Sequence, residues 1–195
     1  DVKACAGVGR KSPGERSFGL DERGHPKALG GIEQAVGAVH PDLPYVKAEG
    51  PSPTRRGATD VLYLARGRLS VLPKGYDVIQ ELKGAELVGW KYRGPFDELT
   101  AQRGVEHRVV GWDEVSEAEG TGVVHIAPGA GKEDFRLSKK SGLAVLAPLD
   151  EFGDFVAGYD GLTGKNVYAV NDAIYASLKE KGLFYRLEKY SHRYP

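Results

Sequence analysis

The hydrophobic residues from position 38 onward fall in short runs separated by residues that are typical of turns. Most runs are rich in β-branched, leucine or aromatic side chains and are short, a pattern that favours strands. We predict strands near 38–49, 61–65, 68–73, 105–112, 121–127, 143–150 and 183–190, with a hairpin around Arg66 and Gly67. Short strands with a turn about every 8 to 12 residues are typical of a β-barrel or a sandwich.

Two segments carry helical spacing instead. The first covers about 132–141 and should end at Gly142, because glycine readily adopts the left-handed conformation found after a helix. The second covers about 166–181 and should end at Gly182. Its apolar residues recur at helical spacing, at Val167, Val170, Ile174 and Leu178. The predicted fold is therefore mostly β with peripheral helices, an α+β protein with a β-barrel-like body.

The first 37 residues differ in composition from the rest of the chain. They are rich in glycine, proline and charged residues, with many turn signals, so we predict loop or little regular order there. The chain contains no methionine and starts at Asp1. We interpret 1–195 as a single domain excised from a larger protein, with a divergent N-terminal segment at 1–37.

Charge and cysteine content narrow the possible functions. Lys and Arg total 27, and Asp and Glu also total 27, so the formal net charge is zero. A nucleic-acid contact would therefore need a local basic patch. The single cysteine, Cys5, excludes an internal disulfide and a zinc site built on several cysteines. No apolar run reaches the roughly 18 residues of a membrane span, no signal peptide is visible, and we predict a cytoplasmic protein.

The stretch GTGVVHIAPGAGKEDF at 120–135 looks like a phosphate-binding loop, but its spacing is wrong. A P-loop would need glycine where Ile126 stands and Ser or Thr where Glu133 stands. Glu133 and Asp134 would also repel a phosphate from the start of the predicted helix. Such an acidic turn can hold a cation, for instance an ammonium group, or its two acids can simply stabilise the helix. The spacing alone leaves both interpretations open.

His125 alternates with Val124 and Ile126 in the predicted strand, so it should face away from both neighbours. A lone strand histidine is usually structural or exposed. The sequence contains no histidine pair at the helical spacing of a zincin-type site and no G-x-S-x-G motif. Residue chemistry alone therefore leaves the role of His125 open.

Several longer stretches of the sequence match those of a known protein family and occur in the family's order. The most specific of them contains GTGVVHIAP followed by EDF. They lie at 38–46, 81–99, 107–135, 142–155, 161–167 and 188–195. In this order the chain resembles the editing domain of isoleucyl-tRNA synthetase, the connective polypeptide 1 that is inserted in this class I aminoacyl-tRNA synthetase. The resemblance covers most of the chain from Ala38 onward.

The resemblance implies hydrolytic proofreading of tRNA. A hydrophobic pocket separates valine from isoleucine by only about 1–3 kcal/mol, and isoleucyl-tRNA synthetase is the standard example of this limit. A second pocket therefore hydrolyses the ester between valine and tRNA(Ile). The implied partners are the tRNA acceptor end, misattached valine and the remainder of the synthetase chain. ATP and magnesium belong to the synthetase body, so no cofactor and no metal is expected in this domain.

The same resemblance assigns roles to the acidic turn and to the strand before it. Asp134 takes the catalytic role by anchoring the α-ammonium group of the substrate. His125 lies at the amino-acid side-chain pocket, where its bulk rejects isoleucine. Thr121 and Gly122 lie on the approach to that strand, and Glu133 is assigned with them to substrate binding.

One segment departs from the family. A threonine-rich segment normally precedes the stretch at 38–46 and forms the other wall of the editing pocket, but 19–37 contains neither threonine nor tryptophan. An editing-fold module that binds the tRNA acceptor with weak or lost hydrolysis is therefore the alternative function. An unrelated β-barrel interaction domain is a third.

Overall fold

The computed structural model of the protein describes residues 36–72, 74–118 and 120–184. The described strands form two three-stranded sheets, with α-helices around them. The strands are β1 (Val36–Val39), β2 (Pro44–Pro51), β3 (Thr59–Ala65), β4 (Asp77–Lys83), β5 (Val109–Gly111) and β6 (Val123–Ile126). The α-helices are α1 (Gly84–Leu87), α2 (Lys132–Ser141) and α3 (Asn171–Glu180).

The first sheet has β1 at its centre, parallel to β5 and antiparallel to β6. Every residue of β1 is buried, as expected for a central strand that is covered on both faces. The register places Gly37 opposite His125 of β6. One face of the sheet packs against α2, where Val36, Ile126 and Leu137 share a core. Burial of each such side chain contributes about 1.5–3 kcal/mol.

The second sheet has β2 at its centre, with β3 and β4 antiparallel on its two sides. The pairing of β2 with β3 runs from Tyr45 opposite Ala65 to Pro51 opposite Thr59. β4 is an outer strand, and its side chains are almost all exposed. The buried interior of this sheet therefore lies at β2 and β3.

The two sheets share one hydrophobic core at the junction between them. It contains residues of β1, β5 and β6 from the first sheet and of β2 and β3 from the second, among them Val39, Val109, Val123, Tyr45 and Tyr63. Tyr45 is fully buried there. β6 contributes to this core through Val123 and to the core beneath α2 through Ile126, so it packs on both sides of the first sheet, as β1 and β5 also do.

A separate core holds the helix α3. Leu178 of α3 and Val170, the residue before the helix, pack against Phe96, Phe155 and Tyr159. Among the described residues, no helix has the length and apolar character needed to cross a membrane.

The prediction of a mostly β protein with peripheral helices is confirmed. The barrel-like body is not, because the described strands form two sheets that do not close into one barrel. The helix predicted at 132–141 is α2, and Gly142 after it has a φ of 62°, in the left-handed region. The second helix begins later than predicted, at Asn171, after a separate 3-10 turn at Val167–Ala169.

Three strand predictions are wrong. The segment 68–73 is not the second strand of a hairpin, because a 3-10 helix covers Arg66–Val71. The segment 143–150 forms only an isolated bridge, and Pro148 within it has no N–H to donate to a ladder. The strand predicted at 38–49 is two strands, separated by a turn at 40–43 in which the N–H of Leu43 donates to the carbonyl of His40. Nearly all of the predicted strand at 183–190, and residues 1–35 of the N-terminal segment, lie outside the described residues.

Candidate functional site

The acidic turn folds back onto the strand that precedes it. Oδ2 of Asp134 accepts a hydrogen bond from the main-chain N–H of Ala127, with 2.8 Å between the two atoms. Ala127 directly follows β6, and Asp134 is in the first turn of α2. The half-buried carboxylate is therefore held against the end of β6 rather than directed into open solvent.

The loop between β6 and α2 is shaped to allow this contact. The N–H groups of Ala130 and Gly131 both donate to the carbonyl of Ala127, which reverses the chain. A Cβ atom at position 131 would lie 2.9 Å from Cγ and Oδ2 of Asp134, closer than non-bonded atoms normally approach. Gly131 is therefore needed for the Asp134 carboxylate to reach Ala127.

His125 lies in β6 on the face that the sequence predicts. Its neighbours Val124 and Ile126 both pack in the core beneath α2. Side chains alternate along a strand, so His125 lies on the opposite face, with Val123. The His125 side chain is half-buried and both of its ring nitrogens are buried.

The structure places these two residues at the same strand. Asp134 contacts the main chain at Ala127, two residues after His125. The loop and the first turn of α2 bring a carboxylate back to the strand that carries the imidazole.

Thr121 and Gly122 form the chain that enters β6. Gly122 has a φ of 72°, and a Cβ atom there would lie 2.3 Å from Cβ of Ala65. Glycine is therefore required both for the left-handed conformation and for the close approach of β3. Thr121 is half-buried, and its hydroxyl lies 3.4 Å from the N–H of Val123.

Glu133 is not brought to the strand end with Asp134. It is the preceding residue in the first turn of α2, and its side chain is exposed. Its assignment to substrate binding stays a prediction. Along the described ranges, no group of three or more His, Cys, Asp or Glu side chains is placed to hold a metal ion.

A concavity lies elsewhere in the molecule. Its volume is about 590 Å³, and it lies at the far end of the second sheet, where Glu49, Pro51, Thr59, Asp77 and Ile79 line it. None of the predicted site residues borders it. We place the candidate site at the end of β6 because the carboxylate of Asp134 and the strand that bears His125 meet there.

The residues that hold the entry to β6 were not found by sequence reasoning. The hydroxyl of Tyr45 donates to the carbonyl of Gly122 at 2.6 Å, although the two residues are separated by 77 positions. Nε of Arg68 donates to the carbonyl of Gly120 at 2.9 Å. A single sequence carries no signal for pairs so distant, and Arg68 falls in the segment that was predicted to be a strand.

The sequence is similar to isoleucine–tRNA ligases. That of Methanothermobacter thermautotrophicus is 40% identical over 158 residues, which cover 80% of this chain and 15% of the relative. That of Pyrobaculum aerophilum is 36% identical over 170 residues, which cover 84% of this chain and 17% of the relative. The chain therefore spans only a small part of the length of these relatives. No protein-family model matches the sequence.

The fold is similar to a solved editing domain. The chain matches the editing domain of the P. knowlesi cytosolic leucyl-tRNA synthetase with a TM-score of 0.51 and 10% identity, over 77% of each chain. At this identity the similarity concerns the fold alone.

Proposed function

Since this chain is homologous to one segment of the isoleucine–tRNA ligases and its fold is similar to that of a leucyl-tRNA synthetase editing domain, we propose that it hydrolyses the ester between valine and tRNA(Ile). The observation that carries the proposal is the position of Asp134, whose carboxylate is held at the end of the strand that bears His125. This arrangement presents a negative charge and a bulky side chain at one strand.

Asp134 anchors the substrate through its charge. Among the described residues, the N–H of Ala127 is the hydrogen-bond partner of the Asp134 side chain, and it engages Oδ2. Oδ1 then receives the α-ammonium group of the aminoacyl ester. A hydrogen bond to a charged group is worth about 1.5–3 kcal/mol, which corresponds to about ten- to a hundredfold in binding. A carboxylate here selects esters of free amino acids over esters that lack the positive charge.

His125 limits the size of the amino acid. It lies on the face of β6 opposite the core beneath α2, and its ring occupies space that a longer side chain would need. Valine fits beside it, whereas isoleucine, with one more methylene, does not. The pocket thereby spares the correct product, isoleucyl-tRNA, from hydrolysis.

The chemical step needs little from the protein beyond position. A water oxygen attacks the ester carbonyl carbon, the bond from that carbon to the ribose oxygen breaks, and the ribose hydroxyl leaves with a proton. Holding the ester and the water at the distance and orientation needed for attack supplies much of the acceleration. The neighbouring ribose hydroxyl of the terminal adenosine helps to activate the water. We propose that this step uses no cofactor in this domain, and that ATP and magnesium act in the synthetase body.

The proposed partners follow from this role. They are the acceptor end of tRNA, the misattached valine and the remainder of a synthetase chain, in the cytoplasm. A second function is favoured by one observation, the lack of threonine in 19–37. In that case the chain binds the tRNA acceptor end with weak or no hydrolysis.

The two functions are separated by deacylation of three substrates: valyl-tRNA(Ile), isoleucyl-tRNA(Ile) and valyl-tRNA(Ile) with an acetylated α-amino group. The proposal predicts hydrolysis of the first at least about ten times faster than of the other two, because the second is too large and the third carries no ammonium group. Equal rates for the valyl and N-acetylvalyl substrates would contradict the role of Asp134. Binding of all three without hydrolysis would support the second function.

A further inference from the structure

The segment that enters β6 is held by the second sheet at three consecutive carbonyl groups. The donors are Nε of Arg68 to Gly120 at 2.9 Å, the N–H of Ala65 to Thr121 at 2.8 Å and the hydroxyl of Tyr45 to Gly122 at 2.6 Å. The three donors belong to three different elements. Arg68 is in the 3-10 helix Arg66–Val71 that follows β3, Ala65 is the last residue of β3, and Tyr45 is in β2. The main chain of 120–122 therefore has little freedom.

The 3-10 helix Arg66–Val71 also contacts the chain before this segment, at Ala118 and at Glu117. Nη1 of Arg68 donates to the carbonyl of Ala118 at 3.2 Å, and the N–H of Gly67 donates to Oε2 of Glu117 at 3.2 Å. A Cβ atom at position 67 would lie 2.6 Å from the Glu117 carboxylate, so a side chain there would displace this carboxylate. The guanidinium of Arg68 thus bridges two carbonyl groups ahead of β6.

Tyr45 is fixed as a donor. Its side chain is fully buried, and burial raises the pKa of its hydroxyl to about 12, so the proton remains in place at neutral pH. The phenol oxygen also accepts a hydrogen bond from the N–H of His40 at 3.1 Å. Because the N–H of His40 is itself a donor, the hydroxyl proton of Tyr45 cannot be shared with it and is donated to the carbonyl of Gly122.

We propose that Arg68 and Tyr45 are positioning residues for the editing site. The strand β6 bears His125, its entry is held by Arg68 and Tyr45, and its exit is held by the bond between Ala127 and Asp134. The geometry of both proposed substrate contacts therefore depends on these bonds, although neither Arg68 nor Tyr45 touches the substrate. This inference rests on the proposed function.

Arg68 offers the cleaner test because its side chain is only partly buried, so its removal leaves no cavity in the core. Misplacement of a site by about 1 Å can cost about a hundredfold in rate, and we expect Arg68→Ala to lower kcat for valyl-tRNA(Ile) about tenfold. KM should stay within about twofold, because Arg68 acts through the main chain rather than by binding tRNA. Arg68→Lys keeps the charge but replaces the planar guanidinium, which can donate to two carbonyl groups, with a single ammonium group. The kcat of Arg68→Lys should therefore lie between that of the unchanged chain and that of Arg68→Ala.

Arg66→Ala is the matched control. Arg66 is in the same 3-10 helix, but its guanidinium pairs with Glu81 of β4, where both side chains are more than half exposed. Its kcat should equal that of the unchanged chain. Tyr45→Phe, which keeps the ring in the core, should lower kcat as Arg68→Ala does.

Amide hydrogen exchange at residues 121–123 provides a second readout that does not depend on hydrolysis. We expect faster exchange at 121–123 in Arg68→Ala and Tyr45→Phe, and unchanged exchange in Arg66→Ala. Unchanged kcat and unchanged exchange in both variants would overturn the positioning role, as would a rise in KM alone, which would indicate a direct tRNA contact. If the unchanged chain fails to hydrolyse valyl-tRNA(Ile), the proposed function fails, and the exchange data alone decide the positioning role.

Discussion

The carboxylate of Asp134 accepts the main-chain N–H of Ala127 across the loop that joins β6 to α2, with 2.8 Å between oxygen and nitrogen. One oxygen of this carboxylate therefore has a structural task at the strand end. The proposed function requires that the same side chain also anchor an ammonium group through its charge. The two tasks can be separated, because asparagine keeps an acceptor oxygen and loses the charge.

The structural task predicts a difference in stability between two variants. Asp134→Ala removes the acceptor for Ala127 and also the favourable charge at the start of α2, and we expect the free energy of unfolding to fall by about 1–2 kcal/mol. Asp134→Asn keeps the acceptor and should lose only about 0.3–1 kcal/mol, the part due to the helix dipole. Urea denaturation measures both. Equal losses would mean that the bond to Ala127 contributes nothing to stability.

The close approach at Gly122 predicts a severe effect of a single methyl group. Gly122→Ala places Cβ 2.3 Å from Cβ of Ala65 and forces a left-handed conformation on alanine. We expect a loss of about 2–4 kcal/mol from overpacking and backbone strain together. Gly120→Ala is the control, since Gly120 also has a positive φ but nothing lies within 4 Å of its Cβ position. The control should lose only about 1–2 kcal/mol, and equal losses in thermal or urea unfolding would refute the steric argument.

The buried hydroxyl of Tyr45 predicts a loss of stability at high pH. Burial raises the pKa of Tyr45 from 10.0 to about 12, so the folded protein holds this proton more tightly than the unfolded chain does. The stability due to this difference is fully present below pH 10 and is lost as the pH rises towards 12. Unfolding free energies measured between about pH 9 and pH 11.5 should therefore fall less steeply in Tyr45→Phe. Parallel curves for the two proteins would show that Tyr45 titrates normally.

Local signals in the sequence were sufficient for the elements that carry the candidate site. The apolar run at 121–127 contains β6, and α2 begins and ends as predicted because Gly142 adopts the left-handed conformation that stops a helix. The alternation of Val124, His125 and Ile126 correctly gave the face of His125. These features depend on neighbours within a few positions, and a sequence shows those directly.

The contacts that decide tertiary geometry could not be predicted in this way. The segment 68–73 has strand-forming residues, but bonds from Gly67 to Glu117 and from Arg68 to Gly120 stabilise a 3-10 helix instead. The contact of Tyr45 with Gly122 likewise joins positions 77 residues apart. Tertiary contacts overrode the local preference in the first case, and no local pattern encodes the second.

The face occupied by His125 predicts a change in substrate range. His125→Ala removes the ring that excludes the longer side chain, so isoleucyl-tRNA(Ile) should become a substrate. One methylene is worth about 1–3 kcal/mol in such a pocket, so we expect the ratio of valyl to isoleucyl hydrolysis to fall at least about tenfold. Val124→Ala is the control on the opposite face of β6, in the core beneath α2, and it should leave the ratio unchanged. An unchanged ratio in His125→Ala would remove His125 from the specificity pocket.

The central claim is that the negative charge of Asp134 binds the substrate ammonium. The most direct measurement is kcat/KM for valyl-tRNA(Ile) in Asp134→Asn, with Asp172→Asn as the control, because Asp172 is an exposed aspartate in the first turn of α3. We predict a fall of about ten- to a hundredfold in Asp134→Asn, which corresponds to about 1.5–3 kcal/mol, and no change in Asp172→Asn. Full activity in a folded Asp134→Asn protein would contradict the claim and leave Asp134 with its structural bond to Ala127 alone.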